Sequence, residues 1–353
     1  MKEKALKVAL VSLSMLALGA CSQGESGQSN QSNQAESSQS ATSQTEESTS
    51  AKTDVKAETV EIQDATGKVE VPKNPQKVVA LDNRTFQSLE EWGIKPVAVP
   101  KDVMPGSSAF VKDDSVQNIG NHREPNLEII AAEQPDLVIV GQRFADYYDD
   151  IKKLVPEATV INLDINVSED SEHPGQDLVY GLKNSSLALG KIFDKEDEAK
   201  KDVEALDASI KRAKEAYNGE DKVMALVVSG GELGFSAPHF GRVWGPLYDI
   251  FNWKPALEVA NESSDHKGDD VSVEAIAESN PDWLMVLDRD AAISKPGEKS
   301  QPAKDVLENA KALTNTTAVK DQKIVYAPED TYTNESIQTF TEIFNRIADA
   351  MSK

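Results

Sequence analysis

Two stretches of this chain are variants of one another. Aligned without a gap, NLEIIAAEQPDLVIVGQR (Asn126–Arg143) and SVEAIAESNPDWLMVLDR (Ser272–Arg289) share Glu128/Glu274, Ile130/Ile276, Ala131/Ala277, Pro135/Pro281, Asp136/Asp282, Val140/Val286 and Arg143/Arg289. A shorter echo precedes each copy: LEEWGIKPVAV (Leu89–Val99) against YDIFNWKPALEV (Tyr248–Val259), with Lys95-Pro96 facing Lys254-Pro255. An internal repeat means either a solenoid or a duplicated domain. Two copies, each far longer than a solenoid unit, favour two similar lobes.

The segment between the copies predicts the link. Over Asp194–Gly219, Ala199, Val203, Leu206, Ile210, Ala213 and Tyr217 recur at helical spacing and make one apolar stripe. Asp194 is placed as the N-cap. Glu196, Asp197 and Glu198 put negative charge at the N-terminal end, and Gly219 supplies the left-handed stop. On either side, short apolar runs alternate with short helical patterns. The runs are Lys77–Leu81, Val97–Val99, Leu137–Val140 and Thr159–Asn162 before the helix, and Val223–Val228, Trp283–Leu287 and Ile324–Tyr326 after it. That alternation predicts parallel sheets covered on both faces. The expected fold class is α/β: two Rossmann-like lobes with parallel-type sheets, joined by a single long spine helix. The N-terminal lobe is placed at 58–193, the spine at 194–219 and the C-terminal lobe at 220–353. The lobes and spine together hold about 295 residues, above the usual size for one core.

The beginning of the chain belongs to neither lobe. Lys2, Lys4 and Lys7 precede a short apolar run, Val8–Leu18, and Leu18-Gly19-Ala20-Cys21 follows at once. This is the shape of a secretory signal, too short to span a bilayer. Cys21 is the sole cysteine, so no internal disulfide forms. The segment 1–21 resembles a bacterial lipobox, which implies that Cys21 becomes a lipidated N-terminus on the outer face of the cell membrane. Residues 22–57 are Ser, Gln, Glu, Thr and Asn with almost nothing apolar, a composition that reads as a disordered tether. The formal charge of −23 argues against nucleic acid as a partner.

Ligands of open parallel sheets sit beyond the carboxyl ends of the strands. Arg143 and Arg289 follow equivalent strands, one per lobe, and would face a shared cleft from opposite walls. Arg242, in the loop SAPHFGRVWG after Val223–Val228, reaches the same place. A guanidinium is planar and always charged, which suits oxygen anions. The bland alternative pairs each Arg with a local carboxylate such as Asp146 or Asp288. Trp244 is the tryptophan expected at the cleft. The four histidines, His122, His173, His239 and His266, have no metal-site spacing on a helix, and no nucleophile elbow, phosphate loop or dinucleotide fingerprint is present. A binding protein is therefore expected rather than an enzyme.

With these features in place, the chain beyond residue 58 resembles the substrate-binding lipoproteins of bacterial iron–siderophore ABC importers, of the class III periplasmic-binding-protein type. GQRFADYYDDIKKL, FGRVWGPLYDIFNWKPA, HKGDDVSVEAIAESNPDWLMVLDR and APEDTYTNESIQTF are similar to the catecholate or petrobactin-type subgroup. The resemblance implies that Arg143, Arg242 and Arg289 hold catecholate oxygens, three cations against a trianionic tris-catecholate. It implies His266 and Tyr332 as ligands to ferric iron, with His239 a rival for the imidazole role, and Glu124 and Asp249, both exposed, as the docking carboxylates for the importer permease. Thr333-Asn334-Glu335-Ser336 stands where the subgroup usually has a glycine-rich run. The implied protein is a monomer with no intrinsic cofactor, carrying a ferric siderophore as cargo. Haem, a hydroxamate siderophore or a corrinoid on the same fold, or a surface adhesin, remain the alternatives.

Overall fold

A computed structural model describes residues 58–167, 175–260, 267–294 and 300–353. In chain order the first lobe carries β1 (Thr59–Asp64), β2 (Gly67–Pro72), β3 (Val78–Ala80), α1 (Phe86–Glu91), β4 (Ala98–Val99), α2 (Ala109–Lys112), β5 (Gln117–Asn118), α3 (Leu127–Glu133), β6 (Leu137–Val140), α4 (Tyr148–Leu154) and β7 (Thr159–Asn162). The helices α5 (Gln176–Ile192) and α6 (Glu196–Ala216) follow. The second lobe carries β8 (Lys222–Ser229), β9 (Glu232–Ser236), α7 (Gly245–Phe251), β10 (Lys254–Pro255), α8 (Val273–Ser279), β11 (Trp283–Asp288), α9 (Arg289–Ile293), α10 (Ala303–Asn309), α11 (Thr317–Lys320), β12 (Ile324–Tyr326) and α12 (Ile337–Met351).

The lobes share a strand plan. In the first, β5-β4-β3-β6-β7 run parallel; in the second, β10-β8-β11-β12 run parallel. β3 corresponds to β8, β4 to β10, β6 to β11 and β7 to β12. The central strands β6 and β8 are buried nearly throughout, as expected for strands covered on both faces. A departure lies at β9, which pairs antiparallel to β8 on the edge that β10 occupies further back. Gly230-Gly231 is the turn of this hairpin, and Asp290 accepts from both glycine N–H groups at 2.8 Å.

The repeat has the same physical job in both lobes. Helices α3 and α8 end on left-handed residues, Gln134 (φ 49°) and Asn280 (φ 46°), and Ile130 and Ile276 are fully buried beneath them. Pro then blocks continuation of the helix. The repeated Asp clamps the neighbouring strand: Asp136 accepts from the N–H groups of Gln76 (2.8 Å) and Lys77 (2.9 Å), and Asp282 accepts from Lys222 N–H (2.8 Å). Each returns its own N–H to that strand, Asp136 to Lys77 O and Asp282 to Lys222 O, at 2.9 Å. The strand that follows delivers its Arg to the far end of the sheet.

Two helices cross between the lobes, where the sequence predicts one. Along α6, Ala199 packs into the first lobe's core with Leu89 and Ile192, while Leu206 and Ala213 pack into the second lobe's core. Along α5 the order reverses: Leu178 and Leu182 join the second lobe, and Ala188, Leu189 and Ile192 the first. The helix α12 lies along α6, where Arg212 donates to Asp349 at 2.6 Å. The N-cap expectation at Asp194 is corrected. Asp194 has φ 54° and pairs with Lys73, and Lys195 takes the cap position. No helix among the described residues is long and apolar enough to cross a membrane. The signal, Cys21 and the tether lie outside the described residues.

Candidate functional site

Tyr332 is the centre of the site. The guanidinium carbons of Arg143, Arg242 and Arg289 lie 4.9, 4.3 and 5.1 Å from its ring centroid. Arg143 comes from the 3-10 turn after β6, Arg289 opens α9 after β11, and Arg242 comes from the loop between β9 and α7. Three cations share one ring because its face carries negative potential. Two of them also hold the backbone beneath it: Arg143 Nη2 donates to Tyr332 O at 2.8 Å and Arg242 Nη2 at 3.4 Å. Arg289 Nη1 donates to Ser229 Oγ at 3.2 Å and stands 4.0 Å from Asp290. Burial pushes the Tyr332 phenol up, but Arg242 and Arg143, with hydrogen bonding from Arg289 and Arg143, outweigh it and hold the phenol below its ordinary value. The Nε atoms of Arg143 and Arg289 are buried without a hydrogen-bond partner among the described residues.

Sequence reading missed the carboxylate that sits among these cations. Glu335, 3% exposed, accepts from Arg242 Nε at 2.9 Å, from Arg242 Nη2, and from Gln142 Nε2 at 2.6 Å. Arg84, a fourth cation and a buried one where the other three are part-buried, stands 3.6 Å from Glu335 and 3.6 Å from Asp164. Burial pushes the Glu335 carboxyl up, but Arg242, Arg84 and Arg143 more than offset this and hold it below its ordinary value. Next to it Asp82 is pushed up to about 7 by burial, against the pull of Arg84. Gly141 allows this crowding, since a Cβ there would lie 2.6 Å from Asp82 Cγ. The segment is tied to the first lobe by Gln87, whose Oε1 accepts from Asn334 Nδ2 (2.9 Å) and Ser336 Oγ (2.8 Å).

The cleft above Glu335 measures about 410 Å³ and is lined by Arg84, His122, Gln142 and Arg143 from one lobe and by Phe240 and Arg242 from the other. Burial, then Arg143, Arg123 and Arg242, hold the His122 imidazole below its ordinary value. A second hollow of about 310 Å³ is rimmed by Glu90, Glu91, Asp330 and Glu342, which makes it a poor home for an anion. Among the described residues no group of three or more His, Cys, Asp or Glu is arranged to hold a metal ion.

The remaining expected residues scatter. Trp244 is fully buried in the second lobe's core and does not line the cleft. His239 (φ 69°) points Nδ1 at both oxygens of Asp249, at 2.9 Å each, and does not line the cleft. Asp249 is correspondingly half-buried and paired, where an open carboxylate is expected. Glu124 is exposed. Asp288, offered as a local partner for Arg289, instead accepts from Ala291 N–H (2.9 Å) and Ala303 N–H (2.8 Å). His266 lies outside the described residues.

Two lobes of equivalent sheets, two straddling helices and a cationic cleft at the strand ends define a class III periplasmic-binding-protein fold. The chain belongs to the periplasmic binding protein family, which it matches over residues 78–331. It is 30% identical to the petrobactin-binding protein YclQ of Bacillus subtilis, over 87% of this chain and 93% of that one. It is 29% identical to the ferric-anguibactin-binding protein FatB of Vibrio anguillarum, over 80% of this chain and 84% of that one. The crystal structure of YclQ superposes with a TM-score of 0.68 at 28% identity, covering 84% of this chain and 99% of YclQ. That of the periplasmic catecholate-siderophore binding protein VctP of Vibrio cholerae gives 0.68 at 28% identity, covering 83% and 99%.

Proposed function

We propose that this protein is a non-enzymatic, extracytoplasmic receptor that binds a ferric siderophore between its lobes and passes it to an ABC importer permease. The observation that carries the reading is the convergence of Arg143, Arg242 and Arg289 on Tyr332. It gathers fixed positive charge and directional donors at the strand ends, where an anionic chelate would sit. The relatives named above, whose own names specify petrobactin, ferric anguibactin and catecholate siderophores, support it.

In this reading the three arginines hold anionic ligand oxygens. Ferric iron is a hard ion that favours phenolate oxygen, and the lowered Tyr332 phenol makes it a fitting ligand; His266 would supply the imidazole. Glu124 and Asp249 would meet the permease, Asp249 only after parting from His239. Cys21 would tether the monomer to the outer face of the membrane. The test is titration of the purified soluble domain with ferric tris-catecholate, ferric trihydroxamate, haem and a corrinoid. Saturable binding with catecholate-to-iron charge-transfer absorption is the expected result. Binding confined to haem or the corrinoid would sink the proposal.

A further inference from the structure

We infer that Glu335 is a resident counter-anion that competes with the bound ligand for Arg242 and so limits how much negative charge the cleft accepts. The inference rests on the receptor reading above and adds to it the residue that sets charge selectivity.

Arg242 directs both Nε and Nη2 at Glu335. A ligand oxygen approaching Arg242 must therefore share or displace that carboxylate. Glu335 is not free to leave. Its side chain is 4% exposed, Gln142 holds its second oxygen at 2.6 Å, and Arg84 stands 3.6 Å behind that oxygen. Its neighbour Ser336 caps α12, accepting from Thr339 N–H at 3.1 Å, and is anchored to Gln87. The carboxylate stays in place, and its charge acts on whatever occupies the cleft.

The charge count agrees. Arg84 and Arg242 are matched by Glu335 and Asp164, and Arg289 stands near Asp290. Among the described residues Arg143 forms no ion pair, and its Nε has no partner. The sequence counts three arginines against three ligand charges; the fold returns part of that positive charge to its own carboxylates. A trianion here meets a buried like charge, and a less anionic chelate does not pay as much for the same contacts.

The experiment uses four hexadentate ferric chelates of graded charge: tris-catecholate (trianion), bis-catecholate hydroxamate (dianion), catecholate bis-hydroxamate (monoanion) and tris-hydroxamate (neutral). Dissociation constants are measured for wild type and Glu335→Gln at one ionic strength. Wild type is expected to bind most tightly short of the trianion. Glu335→Gln is expected to tighten the trianion by about tenfold or more, while the neutral chelate moves by less than about threefold. An equal change across the series, or none, overturns the inference alone. If Glu335→Gln does not fold by circular dichroism, the wild-type series decides. A maximum before the trianion supports the inference, and a steady climb with every added charge overturns it. If no chelate binds wild type, the receptor reading falls and the inference with it.

Discussion

Arg143, at the end of a first-lobe strand, donates from Nη2 to the main-chain carbonyl of Tyr332 at 2.8 Å, and its guanidinium carbon lies 4.9 Å from that residue's ring centroid. The contact joins the two halves beside the cleft, which Arg143 lines and the buried Tyr332 does not. Arg289, its counterpart in the repeat, meets the same ring at 5.1 Å. A tyrosine thus keeps together cations that would otherwise repel.

Removing that ring exposes the repulsion. Tyr332→Ala is predicted to destabilise the ligand-free protein by about 1–3 kcal/mol, through lost packing and lost cation–π contacts. Tyr332→Phe keeps the ring and is predicted to cost less than about 1 kcal/mol. Denaturant titration separates the two, and equal losses would contradict the role given to the ring face.

The clamps at Asp136 and Asp282 predict losses of stability without loss of binding. Either Asp→Ala substitution removes a charged acceptor from exposed backbone N–H donors, which water then takes over, and is expected to cost about 0.5–1.5 kcal/mol. The sites belong to different lobes and share no partner, so the double substitution should be close to additive. Chemical denaturation alongside ligand titration checks both halves of this expectation.

Asp82 gives a pH dependence. Its folded carboxyl is pushed up to about 7 by burial, from an ordinary 3.8. Between those values the folded protein holds a proton that the unfolded chain has released, so stability falls as pH rises through the window. Asp82→Asn is predicted to flatten this part of the stability profile, because it fixes the neutral form. An unchanged slope would mean that another group carries it.

Tryptophan reports on the fold more than on contact with ligand. Trp92, Trp244, Trp253 and Trp283 are all buried, and none lines the cleft. Trp244→Phe is predicted to leave affinity unchanged and to cost about 1–3 kcal/mol in stability. A large loss of affinity with intact stability would restore Trp244 to the cleft wall.

The repeat made much of this fold readable. Strands β6 and β11 stand close to where the apolar runs Leu137–Val140 and Trp283–Leu287 put them, because each is specified by neighbours in sequence. The arginines at the strand ends were legible for the same reason. Glu335 was not. It meets Arg242 across 93 positions and Gln142 across 193, and a local pattern carries no trace of such partners. The one available sign was an acidic residue where the resembling subgroup has glycines. β9 escaped because Glu232–Ser236 is short and carries a glycine. Asp194 looked like a cap because capping residues and left-handed residues draw on the same side chains.

The central claim is that the two halves direct Arg143 and Arg289 at one anionic ligand. It is tested most directly by titrating ferric catecholate into wild type, each single Arg→Ala variant and the Arg143→Ala/Arg289→Ala double variant, with folding verified by circular dichroism. Losing a charged, part-buried donor costs about 2–5 kcal/mol in comparable interfaces. Each single variant should therefore weaken binding by well over tenfold, and the double variant should abolish it at micromolar concentrations. A folded double variant that binds ferric catecholate as tightly as wild type would contradict the claim.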